Sequence, residues 1–200
     1  MPKLYYQGHG SYRLTADDGR VLYVDPYAGE GYDLPADFIF VTHQHQDHNK
    51  TGLCAQKPDC RVITNVEALA GGRHNTFDLG GGLTAEAVEA NNRNHPPDKC
   101  VGFILTIDGV TIYASGDTSK TAAMDSMAAR KLDYALFALD GLFNMNLKEG
   151  AECARLIGAK HNIPIHLKPG ALFSRKKADK WDAPDKLIVE PGQEIELTHE

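Results

Sequence analysis

The chain has 200 residues, 42% of them hydrophobic, and a formal net charge of −6 with the histidines neutral. That length fits one domain with a sizeable core, and no linker-like stretch interrupts it, so residues 1–200 read as a single domain. The acidic balance argues against a protein that grips long nucleic acid through a broad basic surface, while leaving room for a small anionic substrate. Met1-Pro2-Lys3-Leu4-Tyr5-Tyr6 lacks the pattern of a secretory signal, and no apolar run approaches the ~20 residues needed to span a bilayer. The cysteines Cys54, Cys60, Cys100 and Cys153 form no Cys-x-x-Cys pair. The expectation is a cytoplasmic protein with free thiols and no membrane partner, its homo-oligomeric state left open.

In chain order, Lys3–Tyr6, Ser11–Ala16 and Arg20–Val24 read as strands of a meander, with Asp17-Asp18-Gly19 as a hairpin turn. Phe38–Val41 is the next strand. Asn49–Gln56 reads as a short helix ending before Pro58, and Arg61–Thr64 as a buried strand. Asn65 is the expected cap of a helix over Val66–Ala70 that stops at Gly71-Gly72. Phe77–Leu79 and Leu83–Ala90 flank a glycine turn, and Val101–Ile107 and Val110–Ala114 flank Asp108-Gly109, the strongest hairpin signal. Thr121–Arg130 has helical composition, Tyr134–Leu139 is a strand, and Leu147–Gly158 is an amphipathic helix closed by glycine. Asn162–His166 is a strand, Arg175–Trp181 a charged helix, and Lys186–Val189 and Glu194–Leu197 are terminal strands around Pro191-Gly192. A strand-rich first half and a strand-helix second half predict an α/β sandwich of two packed sheets with helices outside.

The segment Thr42-His43-Gln44-His45-Gln46-Asp47-His48 follows the apolar run Phe38–Val41. It crowds three imidazoles and a carboxylate together, the ligand types that hold Zn²⁺, Mn²⁺ or Fe²⁺ at neutral pH. Side chains two apart on an extended backbone share a face, so His43 and His45 can grip one ion. Asp47 and His48, where the chain is expected to turn into a helix, can reach a second. Further ligands should sit in short polar or glycine loops just past other strands. Three residues meet that test: His95 beyond Leu83–Ala90, Asp117 beyond Val110–Ala114, and His166 at the end of Asn162–His166.

With His43-x-His45-x-Asp47-His48, His95, Gly116-Asp117-Thr118 and Pro164-Ile165-His166 in this order, the chain resembles the metallo-β-lactamase fold superfamily. Gly8-His9-Gly10-Ser11, Val24-Asp25-Pro26, Val101-Gly102-Phe103, Ile112-Tyr113-Ala114 and Glu190-Pro191-Gly192 extend the resemblance from about Tyr6 to Leu197. It looks closest to the compact branch that includes sugar-phosphate lactonases and uncharacterised metal-dependent hydrolases. The resemblance implies a four-layer αββα sandwich and two divalent ions, Zn²⁺ first and Mn²⁺ or Fe²⁺ as alternatives. It implies His43, His45 and His95 on one ion, Asp47, His48 and His166 on the other, and Asp117 between them. Two such ions lie roughly 3.5–4 Å apart and make hydroxide available at neutral pH, so the expected reaction is cleavage of an ester, lactone, amide or phosphoester in a small molecule.

Asp47 is expected also to orient the nucleophile, Asp25 to accept a proton from the outer nitrogen of a ligand histidine, and His9 either to donate a proton or to brace its turn. Arg93 and Lys168 are the candidate contacts for an anionic group on the substrate. The neighbouring Arg175-Lys176-Lys177 and Lys180 read first as a solvated helix face. His74, His161 and His199 lack a supporting motif and read as packing or surface residues. The competing readings are an iron oxidoreductase of persulfide dioxygenase type and a metal-bearing binding protein without turnover. A processing nuclease is disfavoured by charge and by the lack of an exosite arm.

Overall fold

The hairpin signals organise two sheets in the computed structural model, which describes residues 1–199. The first sheet comprises β1 (Lys3–Gly8), β2 (Ser11–Thr15), β3 (Val21–Val24), β4 (Ala36–Val41), β5 (Gln56–Thr64) and β12 (Glu194–Glu196), in the order β12-β1-β2-β3-β4-β5. The second comprises β6 (Thr76–Gly80), β7 (Leu83–Glu89), β8 (Val101–Ile107), β9 (Val110–Ala114), β10 (Tyr134–Ala138) and β11 (His161–Ile165), in the order β11-β10-β9-β8-β7-β6. Both are mixed, with an antiparallel meander continued by parallel strands.

This pairing decides where the functional loops emerge. β1 is antiparallel to β2 and β2 to β3, so β1 runs with β3, and β4 and β5 are parallel to β3. By the same reasoning β7 runs with β9, and β10 and β11 are parallel to it. The loops after β1, β3, β4, β5, β7, β9, β10 and β11 therefore leave at the carboxyl ends of co-directed strands, where open α/β sheets characteristically build sites.

The main core lies between the sheets. Leu4, Leu14, Leu22, Phe40 and Ile63 from one side meet Leu83, Phe103, Leu105, Ile112 and Leu136 from the other. A second core packs helices onto the outer face of the second sheet: α2 (Met124–Met127), α3 (Leu147–Ile157) and α4 (Arg175–Lys180) cover Tyr113, Phe137 and Leu139, with Trp181 fully buried among them. Asn146 caps α3 by accepting hydrogen bonds from the Lys148 and Glu149 amides, both at 3.0 Å. Gly158, at φ +64°, ends it in the left-handed conformation. The expected sandwich is present, but the outer face of the first sheet is covered chiefly by irregular chain. Tyr32 and Leu34 lie over Val21, Tyr23, Ile39 and Val41.

Several local expectations change. Asn49–Gln56 forms only a 3₁₀ turn at Thr51–Leu53, and β5 starts at Gln56 and takes in Pro58 within an irregular stretch, its register with β4 jumping from Gln56 to Arg61. β5 pairs only with β4, and proline is tolerated on such an edge strand. For the same reason Arg61–Thr64 is not a buried strand; only Ile63 within it is buried. Thr64, rather than Asn65, caps α1 (Asn65–Ala68), in a reciprocal box with Glu67. Thr121–Arg130 splits into α2 and a 3₁₀ turn at Ala128–Arg130. Lys186–Val189 supplies one isolated bridge, Lys186 to Asn162, in place of a strand.

Candidate metal centre

The predicted ligands arrive from four strand ends. β4 delivers His43 and the turn carrying His45, Asp47 and His48; the loops after β7, β9 and β11 deliver His95, Asp117 and His166. Residues 44–48 form turns rather than the start of a helix. Two glycines permit the close approach. A Cβ on Gly10 would sit 3.0 Å from the His48 ring, and one on Gly116, at φ +61°, would sit 2.6 Å from the Val101 carbonyl.

The Asp117 carboxylate lies at the centre. Its Oδ2 is 3.4 Å from His95 Nε2, 3.5 Å from His166 Nε2 and 4.0 Å from His43 Nε2, while Oδ1 is 3.4 Å from His48 Nε2. Asp47 Oδ2 lies 3.8 Å from His166 Nε2 and 3.1 Å from His9 Nε2. The exposed His45 ring stands edge-on to His43 at 4.5 Å and 4.9 Å from His95. Ligand atoms of His43, His45 and His95 fall within 4.8 Å of one another, as do those of His9, Asp47, His48 and His166.

The outer nitrogens are held from behind. His48 Nδ1 lies 2.9 Å from Asp25 Oδ2, and His43 Nδ1 is 3.0 Å from Thr42 Oγ1, which itself donates to Asp25 Oδ2 at 2.7 Å. Asp25 thus supports two histidines, one directly and one through Thr42. His95 Nδ1 is 2.8 Å from Asn92 Oδ1. His166 Nδ1 is 3.3 Å from Asp140 Oδ2, within ion-pair reach although outside hydrogen-bond geometry. At His43, His48 and His95 these contacts place a proton on Nδ1, so the neutral ring presents its Nε2 lone pair inward.

Those inward atoms provide the test of whether a cation fits. His43 Nε2, His48 Nε2, His166 Nε2 and Asp117 Oδ1 are buried and have no hydrogen-bond partner. An unsatisfied buried polar group costs about 1–3 kcal/mol, and four converging on one point are satisfied together by divalent cations bound to nitrogen and oxygen. Charge favours the same answer. Burial alone would raise the Asp117 carboxyl, but the imidazoles of His48, His166, His43 and His95 outweigh it and hold that carboxyl well below the usual range. Burial, reinforced by His48, pulls His43 down to about 2, and burial also lowers His95. Burial opposes charge on His48, yet Asp117 and Asp25 lift it to about 9; Asp117 and Asp140 likewise raise His166. Metal-free, the cluster draws protons onto His48 and His166 to balance its carboxylates.

Two adjoining hollows open on this cluster. One, of about 250 Å³, is lined by His45, Asp47, Asn94, Phe143 and Pro169. The other, of about 160 Å³, is lined by Gln44, Asn65, Asn94, Pro96 and Lys99. Arg93 and Lys168 are exposed and line neither, whereas Lys99 does. His199 Nδ1 lies 3.1 Å from Asp133, and His161 stacks on Tyr134 at 4.8 Å, both away from the cluster. Asp140, Asn92 and Asn144 were not among the sequence candidates. Asp140-Gly141 lies one residue past β10, so the strand-end test that selected Asp117 would also have selected Asp140.

The family model for the beta-lactamase superfamily domain matches residues 3–166. The chain belongs to the metallo-β-lactamase superfamily. Superfamily relatives include a UPF0173 metal-dependent hydrolase of Alkaliphilus metalliredigens, 29% identical, the match covering 82% of this chain and 84% of the relative. A second UPF0173 metal-dependent hydrolase, from Methanoculleus marisnigri, is 27% identical, with 98% and 96% covered. Among solved structures, a candidate metal-dependent hydrolase from Parabacteroides distasonis superposes with TM-score 0.75 at 29% identity, covering 94% of this chain and 92% of that one. The metallo hydrolase Igni18 from Ignicoccus hospitalis superposes with TM-score 0.77 at 20% identity, covering 97% of each chain.

Proposed function

We propose that this protein is a metal-dependent hydrolase acting on an ester, lactone or phosphoester bond of a small molecule. The observation that carries the reading is the convergence of buried, unpartnered His43, His48 and His166 Nε2 atoms on Asp117. In this reading His43, His45 and His95 hold one divalent ion and Asp47, His48 and His166 the other, with Asp117 shared. Zn²⁺ is the first choice, with Mn²⁺ and Fe²⁺ as alternatives. Ions of this kind polarise a substrate oxygen and lower the pKa of water towards neutrality.

The chain's own residues supply position and protons. Asp25, through His48 and Thr42, fixes which nitrogens face inward. His9 is fully buried between two acceptors, with Nδ1 3.1 Å from the Ala171 carbonyl and Nε2 3.1 Å from Asp47 Oδ2. Neither a carbonyl nor a carboxylate donates, so a proton must lie in the His9–Asp47 contact. Asp47 borders the larger hollow; burial opposes its charge, but His9 and His48 hold its carboxyl well below the usual range, so it faces the hollow as an acceptor able to orient the nucleophile. Lys99, whose ammonium makes no ion pair among the described residues, supports an anionic group on the substrate in the second hollow.

The test is reconstitution of metal-free protein with zinc, manganese and iron separately, followed by a panel of lactones, phosphodiesters and thioesters. Elemental analysis of protein purified without added metal identifies the native ion. Asp117→Ala is expected to lose both metal loading and turnover. Retention of both would overturn the assignment.

A further inference from the structure

Asp25 reaches its second histidine through one hydroxyl. On the opposite wall a longer connection runs between loops from different strand ends. Asp140 Oδ2 accepts a hydrogen bond from Asn144 Nδ2 at 2.7 Å, and Asn144 Oδ1 accepts one from Asn92 Nδ2 at 3.2 Å. Asn92 Oδ1 lies 2.8 Å from His95 Nδ1 and also accepts from the Asn94 and His95 amides at 2.8 and 3.0 Å. The same Asp140 carboxylate faces His166 Nδ1 at 3.3 Å. Asp140, Asn144, His95 and His166 are all buried.

We propose that Asn144 is a positioning residue that transmits the polarity of Asp140 to His95, so that a carboxylate on one loop sets the proton position on a histidine from another. The direction follows from donor and acceptor counting. An ionised carboxylate only accepts, so the amide nitrogen of Asn144 must face Asp140 and its oxygen must face away. Asn92 then has to present its nitrogen to Asn144, which leaves its oxygen for His95. An oxygen at 2.8 Å requires the proton on His95 Nδ1, and the lone pair is left on Nε2, pointing at Asp117. Turning either amide over would set donor against donor or acceptor against acceptor at each junction. Asp140 is itself fixed by the Leu142 and Phe143 amides, both donating to Oδ1 at 2.7 Å, so the source of the polarity cannot rotate away. His43 and His48 depend on Asp25 and stand outside this connection.

The experiment is long-range ¹H–¹⁵N correlation of the histidine rings in the full metal-free chain. In the unaltered protein His95 is expected to carry its proton on Nδ1. Asn144→Leu should lower the preference of His95 for Nδ1 several-fold, the Asn94 and His95 amides still favouring the same Asn92 orientation, while His43 and His48 keep their signals. Asn92→Asp in the Asn144→Leu background should restore the Nδ1 proton, because a carboxylate beside His95 accepts without Asn144 to orient it. A second readout, which rests on the hydrolase reading above, is zinc affinity by chelator competition. Asn144→Leu should weaken it about 10–100-fold, the range for residues that orient metal ligands, and Asn92→Asp should recover part of the loss. A wild-type His95 protonated on Nε2, an unchanged His95 in Asn144→Leu, or equal changes at His43 and His48 would each overturn the proposal. Should Asn144→Leu not fold, Asn144→Ala supplies the same comparison. Protein that binds no zinc would refute the hydrolase reading while the ring spectra still judge this one.

Discussion

Asp25→Asn isolates one carboxylate oxygen with almost no change of shape. Asp25 is buried and accepts three hydrogen bonds: from the Thr42 amide at Oδ1 (2.8 Å), and from Thr42 Oγ1 (2.7 Å) and His48 Nδ1 (2.9 Å) at Oδ2. An asparagine keeps one acceptor and converts the other position into a donor. If the new NH₂ replaces Oδ1, it confronts the Thr42 N–H, which cannot reverse. If it replaces Oδ2, it confronts both the hydroxyl and the imidazole. Relief then requires His48 to give up its Nδ1 proton and keep one on Nε2, and Thr42 to turn its hydroxyl toward His43 Nδ1, which shifts the His43 proton to Nε2 as well. Both inward lone pairs are lost. The first arrangement leaves a buried clash worth about 1–3 kcal/mol, and the second weakens metal binding about 10–100-fold. Denaturant midpoints of the metal-free protein measure the first, and chelator competition with zinc measures the second. An Asp25→Asn protein matching wild type in both midpoint and zinc affinity would refute the claim that Asp25 sets the histidine protons.

Two further outcomes test the frame around the centre. Gly150 sits inside α3, where alanine is favoured by ~1 kcal/mol, but its Cβ would lie 2.2 Å from Cδ2 of the fully buried Leu139; overpacking of about 1–3 kcal/mol outweighs the propensity. Gly150→Ala is therefore expected to lower Tm by a few degrees, and a higher Tm would show that Leu139 is free to yield. Burial pushes the Asp133 carboxyl up, but hydrogen bonds from Thr111, Lys160 and His199 outweigh it and hold that carboxyl below its ordinary range. Its contribution is therefore complete above the unfolded pKa of about 3.9 and lost as pH falls through the folded value; Asp133→Asn should flatten the decline of the urea midpoint in that acid range, and parallel curves would argue against it.

How much of this was legible in the sequence depended on how local the cause was. Asp17-Asp18-Gly19 and Asp108-Gly109 turn the chain through their own backbone chemistry, and the hairpins they predict are present. The histidine cluster was legible because polar ligands packed against the apolar Phe38–Val41 have no purpose in a core. β5 was misread because Pro58 normally breaks regular structure, and the edge position that tolerates it is a tertiary fact. The irregular cover made by Tyr32 and Leu34 carries no periodicity to read. Asp140 was within reach of the strand-end rule. The Asn92–Asn144 contact was not, since it spans 52 positions and exists only once β7 and β10 lie in one sheet.

Backbone strain distinguishes this centre from a hydrogen-bonded turn that happens to be rich in histidine. His9, Asp25 and His166 adopt left-handed conformations, at φ +56°, +46° and +47°, each just past a strand. A non-glycine residue held there costs on the order of 1–3 kcal/mol; Asp108, Lys131 and Asp185 adopt it singly in turns elsewhere, whereas three gather here. Here the strain is held in place by specific backbone bonds. The His9 carbonyl accepts from Tyr6 Oη at 2.7 Å and from the His166 amide at 2.8 Å, and the Asp25 amide donates to the Phe40 carbonyl at 2.9 Å. The reversed φ swings each side chain out of the alternation of its strand and into the space around Asp117. Glycine at any of the three would relax the backbone and remove an imidazole or carboxylate from that space. Three such costs therefore fall together at one point, each beside an imidazole or carboxylate that the centre uses.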